Sequence, residues 1–137
     1  MKRNATAVWN GTINDGAGHI TTQSNTLNQT QYSFKSRFAD GVGTNPEELM
    51  AAAHAGCFTM KLSLDLTEAG FNPESLETVS TITLDNGVIT GSHLVLKATI
   101  SGITDEKFQE IAKGAKENCP VSKAYAAIDI SLEASLS

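Results

Sequence analysis

Two cysteines, Cys57 and Cys119, carry the strongest latent chemistry in this chain of 137 residues. A thiolate is both a nucleophile and a metal ligand, and its reactivity follows its pKa. Two thiols with no C-x-x-C pair are too few for a disulfide-stapled secreted scaffold or a structural zinc site. They are therefore either small buried hydrophobes or a redox pair. Cys57 follows Ala51-Ala52-Ala53-His54-Ala55-Gly56, about three turns into an expected long helix and far from its positive end. Apolar neighbours there raise a thiol pKa, so reactivity requires a cation supplied by tertiary structure. Cys119 precedes Pro120 at the expected start of a short helix, where free N–H groups favour a thiolate. They are 62 residues apart, so a disulfide would close a long loop.

The elements that must position these thiols follow from periodicity and turn chemistry. Ala5–Trp9 and His19–Thr22 are β-prone and separated by the turn cluster Asn14-Asp15-Gly16-Ala17-Gly18. Gln31–Phe38 alternates polar and aromatic residues, which predicts a half-buried strand with Tyr32, Phe34, Ser36 and Phe38 on one face. Thr44-Asn45-Pro46-Glu47-Glu48 is a helix start. Asn45 suits the N-cap, Pro46 the first helical position, and Glu48 a capping box. That helix should run to about Ala69, with Gly70 ending it. It is apolar on most sides in its second half, which makes it central. Leu76–Leu84 and Ser92–Ser101 read as strands joined through Asp85-Asn86-Gly87. Thr104 caps a helix from Asp105 to about Glu117, a short helix follows over Val121–Ala126, and Ala127–Leu136 alternates as a last strand. The pattern is α+β, with antiparallel sheets around a central helix that carries the first cysteine.

Length fits a single domain over 1–137. Ten Lys and Arg against fifteen Asp and Glu give a formal net charge of -5. That argues against nucleic-acid binding, which needs a basic face. No apolar run approaches the roughly 20 residues of a membrane span. The first ten residues lack the apolar stretch of a signal peptide. A soluble cytoplasmic protein without membrane partners is expected.

Several segments together carry a family resemblance: Arg37-Phe38, Gly43-Thr44-Asn45-Pro46-Glu47-Glu48-Leu49, Ala52-Ala53-His54-Ala55-Gly56-Cys57-Phe58, and Asn118-Cys119-Pro120-Val121-Ser122. The chain resembles the OsmC/Ohr family, the osmotically inducible protein C and organic hydroperoxide resistance proteins, over essentially its whole length. The resemblance implies an intertwined homodimer and a thiol peroxidase that reduces organic hydroperoxides and, more weakly, hydrogen peroxide, in oxidative or osmotic stress defence. It implies that Cys57 attacks the peroxide, that Cys119 resolves the sulfenic acid as an intrasubunit disulfide, and that Arg37 and Glu47 activate Cys57. No bound cofactor or metal is implied, only an external reductant, a dithiol such as a lipoyl group or a lipoylated protein. Arg37, in the strand before the helix, matches the OsmC branch. The other branch takes its Arg from an N-terminal Gly-Gly-Arg turn, and Gly11–Ile20 contains no Arg. Gly56 departs from the Ala of many relatives, at a helix cost of about 1 kcal/mol.

Physical chemistry is consistent with these roles. A guanidinium lowers a neighbouring thiol's pKa and can hold a peroxide's leaving oxygen, and a carboxylate orients the guanidinium. A second thiol prevents over-oxidation of the sulfenic acid. Glu47 and Cys57 are ten residues apart on one helix, about 15 Å of rise, so Glu47 cannot reach its own chain's thiol. An isologous dimer crossing at the small-residue stretch near Ala52 would bring the partner copy's Glu47 to Cys57. Phe38, Leu49, Met50 and Phe58 are candidates for an apolar substrate mouth. Taken singly, Glu47 is a dipole-complementing acid and Arg37 a solvated residue; His54, three residues before Cys57, could pair with that thiol or hold a metal, but reads first as a packed core histidine. His19 and His93 have no partner in sequence and are expected at the surface. A redox sensor or thiol-transfer protein using the same cysteines, or a non-catalytic binding dimer, are the other function classes open at this point.

Overall fold

A computed structural model describes all of residues 1–137. The chain divides into two compact units, Met1–Leu49 and Met50–Ser137.

The first unit is built on an antiparallel meander of β1 (Ala5–Asn10), β2 (Ala17–Thr22) and β3 (Thr30–Tyr32), in that order. Trp9 and Tyr32 pack over β2 with ring centroids 5.4 Å apart. Gly18 lies beneath them, and a Cβ there would come within 2.7 Å of the Tyr32 ring and 2.9 Å of the Trp9 ring. The expected strand through Phe38 stops at Tyr32. Phe34–Phe38 is instead a short helix, α1. The Ser33 hydroxyl accepts from the Ser36 N–H at 3.2 Å, and the Ser36 hydroxyl accepts from the Ser33 N–H at 2.8 Å, a reciprocal capping box. Buried Ser36 also donates to the Thr44 carbonyl at 2.9 Å, which ties the helix to the following loop. The Thr44 N–H in turn donates to the Gln31 carbonyl at 2.8 Å. This approach explains Gly43: its φ is +112°, and a Cβ would collide with the Gln31 carbonyl oxygen.

Helix α2 (Pro46–Glu68) starts where the Asn-Pro signal places it. Asn45 Oδ1 accepts from the Glu48 N–H at 2.8 Å. The Glu48 carboxylate does not complete a capping box on Asn45; it accepts from the Thr44 hydroxyl at 3.0 Å.

In the second unit α2 runs on to Glu68, and Gly70, at φ +90°, ends it. β4 (Pro73–Asp85) and β5 (Val88–Ile100) form a hairpin in which Asn86 and Gly87 both take positive φ. Both strands are longer than their hydrophobic cores suggested. β6 (Asp129–Leu136) pairs with β5 in parallel, so this sheet is mixed. Parallel neighbours need a crossover, supplied by α3 (Asp105–Asn118) and α4 (Pro120–Ala124). β5 is the middle strand, and Ser92, Leu94, Leu96, Ala98 and Ile100 alternate into the core. They pack with Phe58, Leu62 and Leu66 of α2 and with Phe108, Ala112 and Ala115 of α3. The i, i+3 and i, i+4 spacings on the helices make these stripes continuous. The opposite side of α2 is uncovered: Ala52, Ala53 and Gly56 are exposed, with Met60 at 76% and Leu64 at 51%.

Candidate active site

Both cysteines are free thiols in the second unit. Cys57 is half-buried on α2 and Cys119 is fully buried. Cys57 packs against the core cluster that contains Cys119, so the two thiols lie close together, with the Val121 N–H on the same side. Burial pushes the Cys57 thiol up, and the bond and charge of Cys119 push it further, against a smaller lowering by Val121. This matches the expectation that a mid-helix thiol is not activated by its own helix. Cys119 is the residue between α3 and α4. Its N–H donates to the Ala115 carbonyl at 2.9 Å and its carbonyl accepts from the Lys123 N–H at 3.1 Å, so its backbone is held on both sides. Two apposed thiols, one half-open and one enclosed, can interconvert between dithiol and disulfide.

Beside them lies a buried polar network that sequence reasoning did not find. His54, three residues before Cys57, is fully buried. Its Nδ1 bonds the Ser92 hydroxyl at 2.6 Å and its Nε2 the Ser122 hydroxyl at 2.8 Å. Ser92 also meets the Ser80 hydroxyl at 3.2 Å. Burial lowers the His54 pKa, which favours the neutral ring; such a ring donates from one nitrogen and accepts on the other, and a serine hydroxyl can answer either. The Tyr125 ring stands edge-on to His54 at 5.2 Å, and its hydroxyl donates to the Met50 carbonyl at 3.1 Å. His54 is thus the packed histidine its sequence setting suggested. The spacing Cys119-x-x-Ser122-x-x-Tyr125 was the available signal for its partners. His93 is not partnerless: it bonds Ser131 at 2.6 Å and pairs with Glu133 at 3.3 Å. His19 is half-buried, with its Nδ1 enclosed and unpartnered.

In the first unit Arg37, on α1 rather than a strand, grips Glu47 on the first turn of α2. Nε lies 3.1 and 3.3 Å from the two carboxylate oxygens, and Nη2 lies 2.8 Å from Oε1. Partial burial pushes the Glu47 carboxyl up, but bonds from Arg37 and its own backbone N–H, with the Arg37 charge, leave it below the ordinary value. The guanidinium lies 5.1 Å from the centre of the Phe38 ring, and the Phe38 and Phe34 rings meet tilted at 45° with centroids 4.8 Å apart. Trp9, Tyr32, Phe34, Arg37, Phe38 and Pro46 line a largely apolar cavity of about 200 Å³. Trp9 and Tyr32 were not foreseen there.

Of the four residues expected at an apolar mouth, Phe38 is 51% exposed and Leu49 and Met50 are half-buried. Phe58 does not fit that expectation: it is 0% exposed and belongs to the core, because it falls on the stripe shared with Leu62 and Leu66. No three His, Cys, Asp or Glu residues come together as a metal-holding group, and no helix is long and apolar enough to cross a membrane.

An α+β chain with two apposed thiols in these positions belongs to the OsmC-like protein family, whose sequence model matches residues 39–133. Peroxiredoxin OsmC of Escherichia coli (strain K12) is 45% identical over 125 residues, covering 88% of this chain and 87% of that protein. The organic hydroperoxide resistance protein OhrB of Bacillus subtilis (strain 168) is 33% identical over 123 residues, covering 85% and 88%. The crystal structure of OhrB superimposes with a TM-score of 0.68 at 28% identity, covering 96% of this chain and 98% of that one.

Proposed function

We propose that the chain is a thiol-dependent peroxidase that prefers organic hydroperoxides to hydrogen peroxide. The observation that carries this reading is that the half-open Cys57 thiol packs beside the enclosed Cys119 thiol. The Cys57 thiolate attacks the terminal oxygen of ROOH. The O–O bond breaks, Cys57 becomes the sulfenic acid, and the alkoxide leaves as ROH with the proton the thiol gave up. The Cys119 thiol then attacks that sulfur, forming the Cys57–Cys119 disulfide and releasing water. An external dithiol, of lipoyl type, returns both thiols and leaves as its own disulfide.

The Arg37–Glu47 pair supplies the cation the first step requires. Glu47 fixes the guanidinium, which stabilises the thiolate and the departing alkoxide. The two units act as one OsmC-like domain in a homodimer, and the pair of one subunit serves Cys57 of the other. The uncovered small-residue face of α2 supports this assembly, since exposed apolar surface of that kind marks interaction sites. The aromatic cavity beside Arg37 supports an alkyl substrate, at about 0.8 kcal/mol per buried CH₂. A reducing cytoplasm would keep the thiols in the free state.

The decisive experiment is steady-state turnover of tert-butyl hydroperoxide against hydrogen peroxide, with dihydrolipoamide and other dithiols as reductants. Higher kcat/KM for the alkyl hydroperoxide is expected. Oxidation of the dithiol pair without turnover would favour a redox sensor instead.

A further inference from the structure

Three contacts form a ladder between α2 and the α4 segment. Cys57 packs beside Cys119, His54 bonds Ser122, and the Met50 carbonyl accepts from Tyr125. The sequence numbers descend on α2 as they ascend on α4, so the two segments run antiparallel. Steps of three or four residues keep each set on one helix face. The middle rung is the most enclosed: His54 is 0% and Ser122 5% exposed. From the other side, the ring's Nδ1 bonds Ser92 of β5, a contact that does not reach α4.

From this geometry we infer that His54 is a positioning residue for disulfide formation: through Ser122 it holds α4 in register, so that Cys119 stays within reach of Cys57. The inference rests on the reading of Cys119 as the resolving thiol. The step it serves is attack of the Cys119 sulfur on the Cys57 sulfenic sulfur. An S–S bond forms, the S–O bond breaks, and the hydroxyl leaves as water with the Cys119 proton. Loss of register of about 1 Å is enough to slow such a step up to about 100-fold. The first step, attack of Cys57 on peroxide, depends on α4 only through the Val121 N–H beside Cys57, a smaller influence on that thiol than burial. His54 touches neither sulfur in this network; both its nitrogens are used by serines.

The test compares Ser122→Ala with Ser92→Ala, each of which removes one buried hydroxyl from the same ring. Reduced protein is mixed with tert-butyl hydroperoxide. Sulfenate is trapped with dimedone, and disulfide is followed by mass spectrometry. For Ser122→Ala, sulfenate should form within about twofold of the parent rate, and disulfide about 10- to 100-fold more slowly. Dimedone adduct and sulfinate should accumulate on Cys57. Ser92→Ala should leave the disulfide rate near the parent value. His54→Gln, whose amide reaches the Nε2 position, should resolve faster than His54→Asn, whose amide reaches only the Nδ1 position.

An unchanged disulfide rate in Ser122→Ala, or equal slowing in Ser92→Ala, would overturn the inference. A peroxide-free arm equilibrates each variant with glutathione buffers. Ser122→Ala should lower the equilibrium constant for the Cys57–Cys119 disulfide about tenfold relative to Ser92→Ala. If the parent makes no sulfenate, the peroxidase reading fails, and this arm alone decides for or against the positioning role.

Discussion

Arg37 holds Glu47 through two of its nitrogens, the shortest contact being 2.8 Å from Nη2 to Oε1. Lysine has the charge but not the fork, so Arg37→Lys tests orientation rather than charge. Its kcat/KM for an alkyl hydroperoxide should fall by about 100-fold. Arg37 is open to water at 38% exposure while Glu47 keeps 12%, and loss of the pair should change stability by only about 1 kcal/mol. Steady-state kinetics and thermal melts on one preparation check both halves. A melt that moves while activity stays would mean the pair is structural. Glu47 is held below its ordinary value of 4.5, so its stabilising contribution is present above that pH and is lost only as pH falls through its folded value.

The cysteines should fail in different ways. Cys57→Ser should abolish peroxide reduction. Cys119→Ser should complete one turnover and stop with sulfenate on Cys57. Dimedone labelling with peptide mapping reads the outcome, and sulfenate on Cys119 with retained turnover in the Cys57 variant would reverse the assignment.

The pH dependence of Cys57 tests what activates it. Burial raises this thiol above its ordinary value of 9.0 within the subunit. Thiolate and alkylation rate increase as pH rises through the folded pKa. If Arg37 of another subunit supplies the missing cation, the alkylation midpoint should lie below 9.0 in the parent and above it in Arg37→Ala. Iodoacetamide labelling of a Cys119→Ser background isolates the one thiol. Identical midpoints with and without Arg37 would remove it from the mechanism.

Phe58 and Phe38 separate core from cavity. Phe58 is fully buried with Leu62 and Leu66, and Phe58→Ala should cost about 3–5 kcal/mol, measured by urea unfolding. Phe38 is half in solvent and lines the aromatic cavity. Phe38→Ala should keep the fold and raise KM for a bulky alkyl hydroperoxide more than for hydrogen peroxide. An equal effect on both peroxides would leave the cavity without a role in substrate choice.

The long elements were legible because their signals are local. Asn45-Pro46 opens α2, Gly70 closes it, and Asn86-Gly87 makes the β4–β5 hairpin. Helix α1 was not legible. The alternation Phe34, Ser36, Phe38 suits a strand, while Phe34 and Phe38 are also i, i+4 neighbours of a helix. Ser36 decided the matter by capping the turn and bonding Thr44. The parallel run of β6 was equally hidden, because strand direction depends on the α3–α4 crossover and not on alternation. For the site, the cysteines and the Arg and Glu were reached through the family resemblance, whereas His54 bonds serines 38 and 68 residues away. The residues around His54 carry no trace of such partners; only the Cys119-x-x-Ser122-x-x-Tyr125 spacing hints at one of them.

Subunit complementation tests the shared site. Glu47 and Cys57 lie on one helix ten residues apart, so the rise between them is about 15 Å. A glutamate side chain does not span that distance along its own helix. An inactive Cys57→Ser chain and an inactive Arg37→Ala chain are unfolded together and refolded as a mixture. In a mixed dimer the intact Cys57 and the intact Arg37 belong to different chains. If they meet across the interface, one of the two sites is complete. Random pairing makes about half the dimers mixed, so activity should return to about a quarter of the parent's. Differently tagged chains and tandem purification show that mixed dimers have formed. If purified mixed dimers stay inactive, Arg37 serves the cysteine of its own chain and the shared site is wrong.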